Sequence, residues 1–427
     1  IREATNRDLV LDRIKNESGI TVEVLESQEE GRLLYSATSD LLKKNHLFPS
    51  KQALFFFIGT GSLIVMFTNH GRLQFSECSA FGSIRILDEF GGMGIRPQRM
   101  ADLLKSMELK ERLAHMANFD CHSPVEVIGV GAGLRSGEML AEFTRCGNGQ
   151  VRFLETTSFD ELCRTLKSFT PLELEEKLNI VDHLAVNMVS SFAIAEYFVN
   201  EFSASRLLLP WLSTRSALVT NLLNPELEQE FRNDLLSAVE NIGDKYNFDR
   251  RHAALVTNVA MKIFDKLKVH FQLNERDRII LECGAMLHDV GRFVDIRQHH
   301  KHSFDLISNS NLPGLSGRDL HLVAAIARYH RKSAPKNGQI EFDRCSVADR
   351  VVLQKLAAIL RVADSLVRGE TDKYLKLSIH LIDGALVFRN PGSVDTLLES
   401  VYLAKKGDLF REVFGLKLKF EEDLKRS

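Results

Sequence analysis

The sequence predicts an α+β multidomain chain: mixed strands and helices, then a long helical stretch, then a small β-rich end. Three observations carry that prediction. Period-two apolar runs gather before residue 131 and again after residue 374. Helix-period apolar stripes fill most of the stretch between about 170 and 369. The length of 427 residues, set against roughly 100–200 residues per domain, calls for more than one domain.

Taken in order, residues 6–16 read as a polar-faced helix, residues 20–25 alternate as a strand through Ile20, Val22 and Val24, and residues 29–42 are helical. Residues 53–58, 62–69 and 72–79 form a β-meander with turns at Gly59-Thr60-Gly61 and Asn69-His70-Gly71. A helix follows over 97–118 and a strand over 125–130, ending in a glycine-rich turn. From about residue 170 the pattern is helical almost throughout, with 171–208 and 218–242 carrying helix-period apolar residues. Residues 374–420 revert to strands, with a hairpin turn at Asp383-Gly384. The expected domains are 1–48, 49–240, 241–370 and 371–427.

Composition excludes several classes of function. A net charge of −2 is not the strongly basic surface that binds nucleic acid by neutralising phosphates. Six scattered cysteines without a CxxC pair argue against a disulfide framework or a Cys-rich zinc site, and for a reducing, cytoplasmic compartment. The most apolar run, residues 53–67, is interrupted by Gly59 to Ser62 and is shorter than the ~20 residues a bilayer span needs, so no membrane association is expected. The chain opens on Ile1 rather than Met, as a fragment or a processed product would.

Eight of the fourteen histidines fall between positions 252 and 330, and their helical phase says more than their density. His252 lies one turn before Val256 on the stripe Val256, Val259, Ala260, Ile263, Leu267. Leu281, Gly284 and Ala285 lead to His288; Val323, Ile326 and Ala327 lead to His330; Leu353, Leu356 and Leu360 lead to Asp364. One inward imidazole is ordinarily a satisfied core residue. Several on successive helices, with inward carboxylates, offset their burial together by sharing a cation. Nitrogen and oxygen donors of this kind suit Zn, Mn, Fe or Mg.

This pattern resembles the HD superfamily of metal-dependent phosphohydrolases, whose H…HD…D signature matches His252, His288-Asp289 and Asp364. His302 and His330 fall where its two-ion members carry further histidines. The resemblance implies one or two divalent ions on His252, His288, Asp289, His302, His330 and Asp364, with metal-assisted hydrolysis and Asp289 as ligand and general base. Arg292 either holds a substrate phosphate or is a surface cation near a helix end. Lys301 carries the same two readings.

A wider resemblance runs along the chain. Ile1-Arg2-Glu3-Ala4-Thr5-Asn6, Glu29-Glu30-Gly31-Arg32-Leu33, Phe57-Ile58-Gly59-Thr60-Gly61-Ser62, the run from His300 to Gly314 and Ala327-Arg328-Tyr329-His330-Arg331-Lys332 are similar to the Ppx/GppA family of exopolyphosphatases and guanosine pentaphosphate phosphohydrolases. That family has the actin-like, ribonuclease H-like fold. The resemblance implies two actin-like lobes, the first truncated by about a hundred residues, ahead of an HD-like helical domain and a small α+β C-terminal domain. It implies Glu30 as a catalytic carboxylate, although Glu30 also reads as a solvated helix residue. It implies Arg2, Arg32, Gly59, Gly61 and Ser62 as phosphate contacts, polyphosphate or a phosphorylated nucleotide as substrate, and a homodimer.

The chain departs from the family pattern in its phosphate loops. The family's metal-holding Asp is Phe57 here, a second carboxylate is Ile64, and Gly31 replaces an Ala. A Gly-Thr further on is Ala132-Gly133, and the G-x-L-R-E-G run reads Arg215 to Thr220 without an acid. The expected activity is therefore phosphoanhydride or phosphoester hydrolysis at the HD-like site. The alternative is a catalytically impaired actin-like scaffold that senses polyphosphate or an alarmone.

Overall fold

A computed structural model describes residues 4–85, 102–114, 119–120, 123–367, 375–391 and 397–423. Arg2 and the ends of the helix expected over 97–118 lie outside these residues, and the described middle of that helix is broken at 106–108, where Glu108 takes a positive φ of 47°. Among the described residues no single helix is long and apolar enough to cross a membrane. The chain divides into two units, the first holding residues 1–235 and 311–316, the second residues 236–310 and 317–427.

The first unit contains helices α1 (Arg7–Ser18) and α2 (Ser27–Lys44), strands β1 (Gln52–Ile58), β2 (Leu63–Asn69) and β3 (Arg72–Ser79), helix α3 (Leu109–Ala114), strand β4 (Val125–Gly131) and helix α4 (Ala132–Ser136). Strands β5 (Thr144–Cys146) and β6 (Val151–Glu155) follow, then α5 (Thr156–Lys167), α6 (Pro171–Leu178), α7 (Asp182–Glu201), strand β7 (Arg206–Pro210) and α8 (Thr214–Leu223), and α9 (Glu226–Lys245) begins here. The seven strands form one sheet in the order β3-β2-β1-β4-β7-β6-β5. Strand β4 runs parallel to both β1 and β7, and the outer pairs are antiparallel.

Every residue of β1 and β2 is buried, which explains why their sequence is almost continuously apolar. The period of two sends Leu54, Phe56 and Ile58 into a core with Phe159, Phe192 and Phe198, and Phe55 and Phe57 into another with Leu34, Tyr35 and Ala217. Helices thus cover both faces of the sheet, a mixed α/β architecture. In α2, Glu29 and Glu30 in the first turn and Lys43 and Lys44 in the last complement the helix dipole.

The second unit contains α10 (Arg250–Leu267), α11 (Glu275–Leu287), α12 (His299–Ser308), α13 (Gly317–Tyr329), α14 (Ile340–Asp343), α15 (Val347–Leu366), strands β8 (Ser378–Ile382) and β9 (Ala385–Pro391), α16 (Leu397–Phe414) and β10 (Lys417–Asp423). Side-chain caps start the helices that carry the ionisable residues: Asp249 accepts from the His252 amide, Asn274 and Asp277 form a capping box, and Ser346 accepts from the Asp349 amide. Helix α15 packs against α10, α11 and α13, so one buried helix touches three of the helices that bring an imidazole. Strands β8 and β9 form a hairpin, β10 lies parallel to β9, and α16 packs along α15.

Three further expectations are corrected. Residues 20–25 are not a strand: Ile20 is 61% exposed and no strand pairs with the segment among the described residues, so alternation had no ladder to join. The helical reading of 171–208 stops at Glu201, because Leu207, Leu208 and Leu209 are fully buried in the central strand β7. The span 374–420 is not all strand. Leu403, Phe410 and Phe414 are buried along α16 at helical spacing.

Candidate metal centre

The ends of α11 and α15, the start of α10, the last turn of α13 and the first residue of α12 converge on one buried cluster. His252 Nε2 lies 3.6 Å from Asp364 Oδ1, and His288 Nε2 lies 3.8 Å from both Asp364 Oδ1 and Asp289 Oδ1. Asp289 Oδ1 is also 3.1 Å from His299 Nε2 and 3.5 Å from His330 Nε2. Two triads, His252/His288/Asp364 and His288/Asp289/His330, each keep their donor atoms within 4.8 Å of one another and share His288.

Three of the rings are held in one way. His288 Nδ1 is 2.7 Å from the Ala285 carbonyl, His299 Nδ1 is 2.8 Å from that of Ile296, and His330 Nδ1 is 2.6 Å from that of Ala327. A carbonyl only accepts, so each Nδ1 carries the proton and each neutral ring presents its Nε2 lone pair to the cluster. His299 Nε2 and His330 Nε2 then face each other 3.2 Å apart as two acceptors. His288 Nε2, completely buried, has no hydrogen-bond partner. Around His288, His299 and His330, lone pairs and carboxylate oxygens converge with no donor between them, which fits a cation. The backbone carbonyls behind the rings are the outer shell that metal-ligating histidines ordinarily have.

The charge states agree with that fit. Burial pushes His330 down to about 3, so its ring is neutral. Burial alone would raise both carboxyls, yet the imidazoles around them prevail. Protons and positive charge at their oxygens, from His288 and His299 for Asp289 and from His252 for Asp364, hold both well below the usual carboxylate range, and a cation in place of those protons would do the same. Burial pulls His252 down, but the hydrogen bond and charge of Asp364, with the charges of Asp289 and Asp249, together raise it.

Local structure explains why His288 and Asp289 can both face inward. Helix α11 ends at Leu287, and Val290–Phe293 is a short 3-10 turn. Ser303 of α12 clamps this turn: its hydroxyl accepts from the Gly291 amide at 2.9 Å and donates to the His288 carbonyl at 2.7 Å. The approach is close enough that a Cβ on Gly291 would stand 2.1 Å from the His299 carbonyl oxygen and 2.3 Å from the Ser303 nitrogen, so only glycine fits.

The structure gathers His252, His288, Asp289, His330 and Asp364. It adds His299, which sequence reasoning missed and which reaches Asp289 and His330 from outside the two triads, while His302, half-buried one turn along α12, has no such contact among the described residues. The signal for His299 was present: His299, Ser303 and Ile307 are spaced by four and are all buried. Arg292 Nη1 lies 3.1 Å from Asp289 Oδ2 at the exposed edge of the cluster, and Lys301 is exposed.

In the first unit, Glu30, Gly59 and Ser62 line a cavity of about 280 Å3 together with Phe57, Ile64 and Thr214. Glu30 Oε1 accepts from the Thr214 hydroxyl at 3.0 Å. Phe57 and Ile64 are both 2% exposed and offer neither a metal ligand nor a proton carrier. Gly61 is exposed and does not line this cavity. The Arg32 guanidinium stacks 5.9 Å from the Phe231 ring centroid.

Comparison with known proteins follows the same division. The profile of the Ppx/GppA phosphatase family matches residues 1–211, and that of Ppx/GppA phosphatase, domain III, matches residues 236–397. The guanosine-5'-triphosphate,3'-diphosphate pyrophosphatase of Photobacterium profundum is 22% identical over 382 residues, 84% of this chain and 70% of that protein. The protein of the same name from Pseudoalteromonas translucida is 26% identical over 145 residues, 34% of this chain and 28% of its own. An exopolyphosphatase structure from Cytophaga hutchinsonii aligns with a TM-score of 0.44 at 18% identity, over 52% of this chain and 72% of that one. A Ppx/GppA family member from Aquifex aeolicus aligns with a TM-score of 0.41 at 18% identity, over 53% and 72%. With successive parts of one family's profile matched along its length, the chain belongs to the Ppx/GppA phosphatase family.

Proposed function

We propose that this chain is a metal-dependent phosphohydrolase whose working site is the His/Asp cluster of the second unit. The observation that carries the reading is the facing pair of Nε2 acceptors, His299 and His330, beside the unpartnered Nε2 of His288. His252, His288, Asp289, His299, His330 and Asp364 would hold one or two divalent ions. Imidazoles in the majority favour Zn, Mn or Fe over Mg. A bound ion would supply a Lewis acid for phosphate oxygens and a hydroxide source near neutral pH.

The chain's own residues set the conditions for that chemistry. The Nδ1–H bonds to Ala285, Ile296 and Ala327 fix three ring tautomers and orientations. Asp289, ionised and bonded on its outer oxygen by Arg292, would serve as an anionic ligand that orients an attacking water, since its low proton affinity suits that role better than that of general base. Arg292 is free to swing its guanidinium from Asp289 onto an incoming phosphate. The names of the relatives point to phosphoanhydrides of a polyanion, either polyphosphate or a guanosine pentaphosphate. The lobes 1–48 and 49–240, with the small domain from 371, would be scaffold or sensor.

Metal content and phosphatase activity measured side by side on wild type and Asp289→Asn test the reading. Loss of both in the variant is expected, and full activity in Asp289→Asn would overturn it. One observation favours a second reading, turnover in the first unit: Glu30, Gly59 and Ser62 share a cavity. Glu30→Gln should retain activity, since Phe57 and Ile64 leave that cavity without a ligand or a second carboxylate. Loss of polyphosphate hydrolysis in Glu30→Gln would favour the second reading.

A further inference from the structure

The turn that follows Asp289 carries an exposed aromatic surface that packing of the fold does not explain. Phe293 is 62% exposed, and Val294 and Ile296 beside it are 54% and 68% exposed. Burying a Phe side chain contributes roughly 1.5–3 kcal/mol. This one is left in water at the end of the turn that starts with Asp289. Tyr246 meets it edge-on, with ring centroids 5.8 Å apart and planes at 61°, which holds the ring upright without covering it. Cations flank the pair. Lys245 Nζ is 5.7 Å from the Tyr246 ring centroid, and Arg292, next to Phe293, reaches Asp289 at 3.1 Å.

We infer that Phe293, braced by Tyr246, is the base-stacking shelf of a nucleotide substrate whose phosphates lie toward Arg292 and the His/Asp cluster. The inference rests on the proposed function and deepens it by naming the substrate class. An aromatic face recognises a planar base through stacking, whatever its hydrogen-bonding edge. A bare phosphate chain has no planar group and gains nothing from it. One short turn, with Asp289 as its N-cap, offers a carboxylate of the cluster, a guanidinium at 292 and a ring at 293, the three kinds of group a nucleotide needs. Phe293 is in this sense a specificity-determining residue.

Two measurements on the full metal-loaded chain test it. In the first, kcat/KM for GTP is divided by kcat/KM for inorganic tripolyphosphate in wild type, Phe293→Ala and Phe293→Trp. The ratio should fall about tenfold in Phe293→Ala, through KM, and recover in Phe293→Trp, as expected for loss of one base stack. In the second, binding of a ribose-tagged fluorescent GTP is titrated with the same proteins and with Asp289→Asn. Weaker binding in Phe293→Ala supports the shelf even if the chain turns over nothing, so failure of the shelf and failure of the metal-site reading are distinguishable. Unchanged nucleotide binding and an unchanged ratio in Phe293→Ala would overturn the inference. So would a change of oligomeric state with nucleotide binding intact, which would make the apolar surface a self-association face.

Discussion

Gly31 of α2 and Ile64 of β2 are fitted to each other: a Cβ on Gly31 would stand 2.9 Å from Ile64 Cγ2 and 3.4 Å from its Cδ1. Both are positions where the chain departs from the family pattern, Gly for Ala and Ile for a carboxylate. Their contact makes the two departures one packing solution, in which the missing methyl admits the branched side chain.

The pair can therefore be tested as a unit. Gly31→Ala gains up to about 1 kcal/mol of helix propensity but introduces overpacking of about 1–3 kcal/mol. A net fall in thermal midpoint is expected. Combined with Ile64→Ala, which removes the Cγ2 methyl, the same Ala should cost less than it does alone. Additive losses in the double variant, read by thermal melts in a double-mutant cycle, would show the contact to be energetically idle.

Metal removal should destabilise the second unit. A ligand at a hundredfold its dissociation constant stabilises by about 2.7 kcal/mol. A chelator should then lower the melting midpoint of wild type by several degrees and leave that of Asp289→Asn unmoved. Identical chelator shifts in the two proteins would mean the ion sits elsewhere.

The Ser303 clamp predicts a positioning effect. Ser303→Ala leaves the buried Gly291 amide and one acceptor site of the His288 carbonyl without their partner, at about 1–3 kcal/mol. Metal affinity should fall about 10–100-fold, as for loss of an outer-shell contact. Atomic absorption against a competing chelator separates this from simple destabilisation. Equal metal affinity at a lowered melting point would mean that the clamp serves stability alone.

Asp234 gives a pH dependence away from the metal centre. Burial, with Glu230 adding to it, pushes its carboxyl from 3.8 to about 6, against the pull of Lys43 and Arg72. The folded chain therefore holds a proton that the unfolded chain has lost between these values. Its contribution to stability is complete below about pH 4 and disappears as pH rises through 6. Asp234→Asn should raise the melting midpoint at pH 7.5 and flatten the fall between pH 4 and 6. A wild-type slope retained by the variant would assign it to another group.

Much of the candidate site is readable in sequence because inward ionisable residues on amphipathic helices announce themselves by phase. His252, His288, His330 and Asp364 all continue apolar stripes. His299 lies in the run His299-His300-Lys301-His302, and which of these faces inward depends on how α12 docks against Gly291, a contact twelve residues away in sequence. Strand β7 fails for a different reason. A short run buried on both faces has no alternation, and three consecutive leucines suit helix and strand equally. The meander β1–β3 is legible because turn residues punctuate it, whereas β5 and β6 are too short and polar to stand out.

The parallel pairing of β10 with β9 has a consequence for how the second unit assembles. The β8–β9 hairpin closes across Asp383-Gly384 and needs only local chain. Strand β10 reaches its neighbour only after α16 has been laid down, so its ladder closes a far longer loop. The edge strand should be the last to form and the first to open. Amide protons of Lys419 and Glu421, which face β9, should exchange with deuterium well before those of His380 and Ile382.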